Sequence, residues 1–259
     1  MQNFFSKLLP NNNANISRYY TGIVIIGIVV LIFILNIKFL AWVVIGFCFF
    51  VAFYEAMKLY DLSHKSNLFI IAGILWIIAY FHDNPITAAL VAITIMASYN
   101  AFRQDIKSRD YLVIIYPTIP FLCFFDIYID FGVKAIIWLI ATVAIADTGA
   151  YFGGRMFGKS PLSPVSPKKT LEGALIGFVI ATLIGCIIGM MLKGFVAAFF
   201  ITFCIAGVSI FGDLYESMLK RNANVKDSGN ILPGHGGVLD RIDGLLFSSV
   251  VMLFLLDWI

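Results

Sequence analysis

Charge is what this sequence has least of. Asp, Glu, Lys and Arg make up 13% of 259 residues, against roughly a quarter in an average soluble domain. So small a polar complement cannot cover a water-exposed surface, which excludes an ordinary soluble globular fold. Histidine is rarer still, with three copies, and the four cysteines, Cys48, Cys123, Cys186 and Cys204, lie in apolar stretches. No pair of them has metal-ligand or redox spacing, so they read as small packing residues. There is no basic run of the kind that nucleic-acid binding uses, and the net charge of +3 is dispersed, which argues against nucleic acid as a partner. Internal repeats are absent too, as is any stretch that would form a soluble domain.

What is present is apolar. Hydrophobic residues make up 61% of the chain, with 25 Phe and 21 Gly, a composition suited to helices that pack through small residues in lipid and satisfy their backbone internally. Apolar runs occur at 19–36, 39–54, 68–81, 86–102, 111–128, 133–151, 171–192, 195–211 and 245–259. They predict an all-α, polytopic integral membrane protein of about nine transmembrane helices. Several runs fall short of the roughly 20 residues a crossing needs, and eight spans remain an alternative if the short third run is re-entrant. The first run follows an Asn-rich stretch without a small-residue cleavage site, so it reads as an anchor and not a removed signal peptide. Pro117 and Pro120 predict a kink in the fifth run. The whole chain, 1–259, reads as one membrane domain, in which 1–130 is mainly helical scaffold and 131–259 carries the catalytic helices and polar loops.

Lys and Arg alternate in abundance from loop to loop. With nine spans, all 18 except Lys38, Lys134 and Lys193 fall on the side of the N-terminus. The positive-inside rule assigns that side to the cytoplasm, which puts the sixth and eighth loops there and the C-terminus outside. The short N-terminus favours a bacterial inner membrane.

The chemistry concentrates late in the chain. Between Asp213 and Asp243, nine of thirty-one residues are charged, more than double the chain average. Asp213, Glu216, Ser217 and Lys220 follow at i, i+3, i+4 and i+7, one face of a helix. Arg221, Lys226 and Asp227 come next, then Pro233-Gly234-His235-Gly236-Gly237 and Asp240-Arg241-Ile242-Asp243. Glycines at 234, 236 and 237 suit a backbone whose N–H groups turn toward phosphate, with a tight connector between helices as the alternative. Asp213, Asp240 and Asp243 are hard oxygen donors that suit Mg²⁺, or else ion-pair partners for the neighbouring Lys and Arg. His235 either bonds phosphate or braces the turn.

A second polar set precedes this one. Asp147, Tyr151 and Arg155 are spaced i, i+4, i+8 at the end of the sixth run, followed by Lys159 and by Ser166-Pro167-Lys168-Lys169-Thr170-Leu171-Glu172-Gly173. An Asp inside a span costs roughly 2.5 to 3.5 kcal/mol on insertion scales and so faces a partner or a wet cavity; Arg155 or a bound cation would serve. Lys168 and Lys169 either anchor the seventh span or hold substrate phosphate.

The segment from Ser217 to Asp243, with Ser217-Met218-Leu219-Lys220-Arg221, Lys226-Asp227-Ser228-Gly229 and Leu232 to Asp243 at fixed spacing, resembles the signature of phosphatidate cytidylyltransferases. The stretches 147–155 and 166–173 are also similar to that family. Before them only hydrophobicity is shared. The resemblance implies transfer of a cytidylyl group from CTP to phosphatidic acid, giving CDP-diacylglycerol and pyrophosphate, with Mg²⁺ required, a second cation allowed and a homodimer typical. In that reading Asp213, Asp240 and Asp243 hold the metal. Lys220, Arg221, Lys226, Asp227, His235 and Arg241 form the catalytic set. Asp147, Tyr151, Arg155, Lys159, Ser166, Lys168, Lys169, Thr170, Glu172, Ser217, Gly236 and Gly237 contact substrate. A cytidylyltransferase or CTP-dependent kinase for another lipid, such as an isoprenoid, is the alternative within enzymes. A transporter is the alternative outside them, disfavoured because the charge gathers in loops and does not run across several spans.

Overall fold

The computed structural model describes residues 34–232 and 236–259, together with Gly27 and 30–32. Most of the first apolar run and His235 lie outside the described residues. The described chain is a helical bundle in the order α1 (Lys38–Leu59), α2 (Ser66–Phe81), α3 (Pro85–Arg103), α4 (Ser108–Val113), a π-helical turn (Ile114–Thr118), α5 (Ile119–Phe157), β1 (Pro161–Ser163), β2 (Ser166–Thr170), α6 (Leu171–Gly189), α7 (Phe195–Asn222) and α8 (Leu239–Trp258). The architecture is all-α, and the sixth loop adds a short antiparallel hairpin in which Pro161 pairs with Thr170 and Ser163 with Ser166.

Among the described residues, five helical stretches are long and apolar enough to cross a membrane: Lys38–Leu59, Pro85–Arg103, Ser108–Phe157, Leu171–Gly189 and Phe195–Asn222. The third of these contains 50 residues, about 75 Å at 1.5 Å per residue, far beyond a hydrocarbon core of roughly 30 Å. Two interruptions explain it. Tyr116 and Pro117 break the helix at the π turn, with Tyr116 at φ −137°, ψ 118°, where the sequence places a kink. At Gly132 the backbone takes φ 74°, ψ −174°, a region that only glycine occupies at low cost.

The packing partners of α5 show that the chain turns back at Gly132. Ahead of it, Pro120 accepts a hydrogen bond from Ser249 Oγ at 2.9 Å and Tyr116 packs edge-on against Phe247, so numbers rise together along α5 and α8. Behind it, Val143 faces Gly244 while Asp147 shares a cavity with Asp240 and Asp243, so the numbers run oppositely.

The second half of α5 and α6 lie backbone to backbone. A Cβ on Gly149 would fall 2.9 Å from the Gly177 Cα, and one on Gly173 would fall 2.8 Å from the Gly154 N and Cα. Only small residues let two helices approach this closely in lipid. The first half of the chain packs differently. Trp76 stacks on Trp42 and Phe49, and Phe121 and Phe125 close the cluster, with ring centroids 5.2 to 6.4 Å apart. The outward faces stay apolar, as Ile70, Ile74 and Ile77 on α2 and Leu183 and Ile187 on α6 show.

Candidate functional site

At 28 residues, α7 is about 42 Å long and outruns the hydrocarbon core, so its final turns carry Asp213 to Arg221 beyond the apolar layer. They meet the start of α8, the end of α5 and the hairpin around a cavity of about 580 Å³. Its polar lining is Asp147, Tyr151, Arg155, Lys168, Lys169, Thr170, Asp213, Asp240, Arg241 and Asp243. Ten residues singled out in the sequence, from three separated stretches, thus converge on one space. Lys38, Lys134 and Lys193 lie toward the opposite end of the bundle. Lys38 and Lys134 start helical segments that reach the cavity region at their other ends, and Lys193 donates to the Leu256 carbonyl at the far end of α8.

Lys169 forms an ion pair with Asp213 across the cavity, joining β2 to α7. Burial pushes the Lys169 ammonium below the usual lysine range, and the negative charges of Asp243 and Asp147 pull it back up. Thr170 caps α6, its hydroxyl accepting from the Gly173 N–H at 3.2 Å, which fixes the hairpin to the helix start. The charges acting on Asp147 include Asp243, Lys169 and Arg241; these, more than Arg155, are its electrostatic neighbours.

Other predicted residues point elsewhere. Lys220 was expected to meet phosphate, but its ammonium pairs with Glu216 and, at 2.7 Å, with Asp240 Oδ1. Buried carboxylates on either side hold it behind the cavity wall. Asp240 Oδ2 accepts from the Ser228 N–H, the Ser228 hydroxyl and the Gly237 N–H, each at 2.9 Å. Gly237 therefore spends its N–H on Asp240 and not on phosphate, and Asp240 is braced by its own chain more than it is open to a cation. Gly236, at φ 84°, makes the turn and accepts from the Leu232 N–H. Glu172 accepts from the backbone N–H groups of Lys159 and Ser160, so it locks the loop after α5 where substrate contact was predicted. Arg221 donates to the Val225 carbonyl at 3.1 Å at the end of α7. Ser217 is buried, and Lys226 and Asp227 are exposed on the loop. Ser166 belongs to the hairpin pairing.

The sequence reading missed Glu55. This α1 side chain is 1% exposed and accepts from the Val238 and Leu239 N–H groups at 3.1 and 2.8 Å. An ionisable residue at the edge of an apolar run was the available signal.

The cavity lining bears on metal binding. Among the described residues, no three His, Cys, Asp or Glu side chains are grouped as a ready cation site. Mg²⁺ does not require one, because it typically takes one or two carboxylates and completes its shell with water and substrate phosphate. Four aspartates face two lysines and two arginines in the lining, a formally neutral wall. Two anionic substrates would gain no net attraction from it, and a cation arriving with them would supply the missing charge. Asp213, beside Lys169, and Asp243 are lining carboxylates that would offer oxygen to such an ion.

Comparison with known proteins now decides the family. The family model described as "Cytidylyltransferase family" matches residues 16–259. The chain belongs to the cytidylyltransferase family. It is similar to the phosphatidate cytidylyltransferase of Helicobacter pylori strain 26695, 46% identical over 248 residues that cover 93% of each chain. The enzyme of that name from Helicobacter pylori strain J99 is 45% identical, over 93% of this chain and 92% of its own. The phosphatidate cytidylyltransferase of Thermotoga maritima is 44% identical over 149 residues, 54% of this chain and 55% of its own. The family membership covers the first half of the chain as well, where the sequence reading had found only hydrophobicity.

Proposed function

We propose that this chain transfers a cytidylyl group from CTP to phosphatidic acid, giving CDP-diacylglycerol and pyrophosphate. The observation that carries the reading is the neutral, mixed-charge cavity at one end of an apolar bundle, where a lipid headgroup and a soluble nucleotide can meet. The near full-length likeness to phosphatidate cytidylyltransferases supports the same substrates.

The chemistry asks little of side-chain nucleophiles. A phosphate oxygen of the lipid, already ionised near neutral pH, attacks the α-phosphorus of CTP. One P–O bond forms there, and the bond to the β-phosphate oxygen breaks, so pyrophosphate leaves with its electron pair. Catalysis then consists of holding two anions in line and neutralising the charge that shifts onto the leaving group. Lys168, Lys169, Arg155 and Arg241, which line the cavity, would supply the positive charge for this. Asp213 and Asp243 would hold Mg²⁺, which when bound neutralises phosphate charge. Asp147 and Tyr151 complete the wall, while Asp240 and Lys220 brace it from behind. A nine-pass bundle with this cavity in the cytoplasm of a bacterial inner membrane, as a homodimer, belongs to the same proposal; the turn at Gly132 supports counting the two halves of α5 as separate passes.

The test is purified protein in detergent with labelled CTP and phosphatidic acid. Label in a chloroform-soluble product, with one pyrophosphate released per lipid, is the expected result. An isoprenoid phosphate in place of phosphatidic acid separates the second lipid reading, and loss of all product in both arms overturns the function.

A further inference from the structure

We propose that Glu55 is a positioning residue for the cytidylyl transfer, holding the first turn of α8 so that Asp240, Arg241 and Asp243 face the cavity. The inference deepens the transfer reading above and rests on it. Glu55 does not line the cavity, so it acts only through what it holds.

A carboxylate that is 1% exposed must recover in full the solvation it has lost. Glu55 does so at the start of α8. Its Oε1 accepts from the Val238 N–H and its Oε2 from the Leu239 N–H. These are among the backbone donors that a helix start leaves without internal partners, at the positive end of the helix dipole. The N-cap residue, Val238, supplies no side-chain cap of its own. The cap comes instead from α1, more than 180 positions earlier in the chain.

The signature loop is shaped around this carboxylate. A Cβ on Gly229 would meet the Glu55 carboxylate, 2.8 Å from its Cδ, and one on Gly237 would meet Ser228 Oγ first and lie 2.6 Å from either Glu55 oxygen. The two glycines make room for Glu55. Ser228 sits between the two acids, its hydroxyl 2.9 Å from Asp240 Oδ2 and 3.2 Å from Glu55 Oε2. One hydroxyl proton serves one acceptor at a time, so the firm grip of Glu55 is on the two N–H groups. Moving Glu55 would release the helix start from which three cavity residues project.

The experiment uses the full-length chain with Glu55→Gln, Glu55→Ala, Gly229→Ala and the Glu55→Ala/Gly229→Ala double variant. It measures kcat and KM for CTP and phosphatidic acid, together with hydrogen exchange over 236–243 and over 195–211. Glu55→Gln keeps the volume but turns an amide N–H₂ toward two N–H donors. Its kcat should fall roughly tenfold or more, the scale of one or two lost charge-assisted hydrogen bonds. KM for phosphatidic acid should stay within about twofold, and exchange should rise in 236–243 alone. Gly229→Ala, whose new methyl would meet the Glu55 carboxylate first, should give the same signature, and the double variant should lose less than the product of the two single losses, because the truncated side chain leaves room for that methyl. Retention of wild-type kcat by Glu55→Gln overturns the proposal. So does a loss matched by faster exchange across 195–211, which marks a general structural role. No turnover by the wild-type chain sinks the transfer reading itself, and the exchange data still decide whether Glu55 holds α8.

Discussion

The two halves of this molecule are built from different materials. Up to Gly132, large aromatic side chains interlock, with Phe49 and Phe53 fully buried and Trp76 nearly so. After it, glycines bring helix backbones into contact at Gly149 and Gly177, and charged side chains close the end of the bundle. An aromatic cluster tolerates small shifts because many weak contacts share the load. A backbone contact does not, and the second half supplies the lining of the polar cavity. The difference teaches that precision here comes from small residues and paired charges. Glu55 is where the aromatic half reaches across to set the other.

The comparison can be broken from its most sensitive end. Lys220→Ala leaves Glu216 and Asp240 buried without their cation, and removing one partner of a buried pair costs about 3 to 5 kcal/mol. Thermal unfolding in detergent should shift down accordingly, with activity lost alongside; an unchanged unfolding midpoint would show that Lys220 is not structural. Asp213→Asn should lower kcat/KM by about 10² to 10³, the cost of losing one preorganised charge-stabilising group. The Asp213–Lys169 pair is partly exposed, so stability should move by less than about 1 kcal/mol. Activity and Mg²⁺ dependence that match the parent would remove Asp213 from the site.

Gly177→Ala places a Cβ 2.6 Å from the Ala150 N and 3.0 Å from its Cβ, and overpacking of this kind costs about 1 to 3 kcal/mol. Both the unfolding midpoint and kcat should drop, because Ala146 and Ala150 also border the cavity. Phe49→Leu makes the matched test in the aromatic half. It should cost about 1 kcal/mol and leave kcat per folded molecule at the parent value. If Phe49→Leu damaged kcat more than Gly177→Ala does, the contrast between the halves would be inverted.

The sequence made much of the site legible. Asp147, Tyr151 and Arg155 share a helix face by spacing alone, and the structure puts all three on the cavity. Asp213, Asp240, Arg241 and Asp243 join them there. Composition is local information, and so is helical periodicity, so both survive translation into structure. What the sequence could not show were contacts that depend on a remote partner. Gly237 looked like a phosphate binder until Asp240 took its N–H, and Lys220 looked like a catalytic cation until two buried carboxylates enclosed it. Glu55 carried no motif, since its partners are backbone groups that any residue could supply.

By itself the sequence determined that the chain lives in lipid as helices, since 13% charge cannot coat a soluble surface and apolar helices satisfy their own backbones. It also determined which polar residues share helix faces, because spacing along a helix fixes which side chains lie together. Only the tertiary structure decided how those residues divide between lining the cavity and bracing it. Buried charges are settled by whichever partners folding brings within hydrogen-bond reach, and those partners lie on different helices.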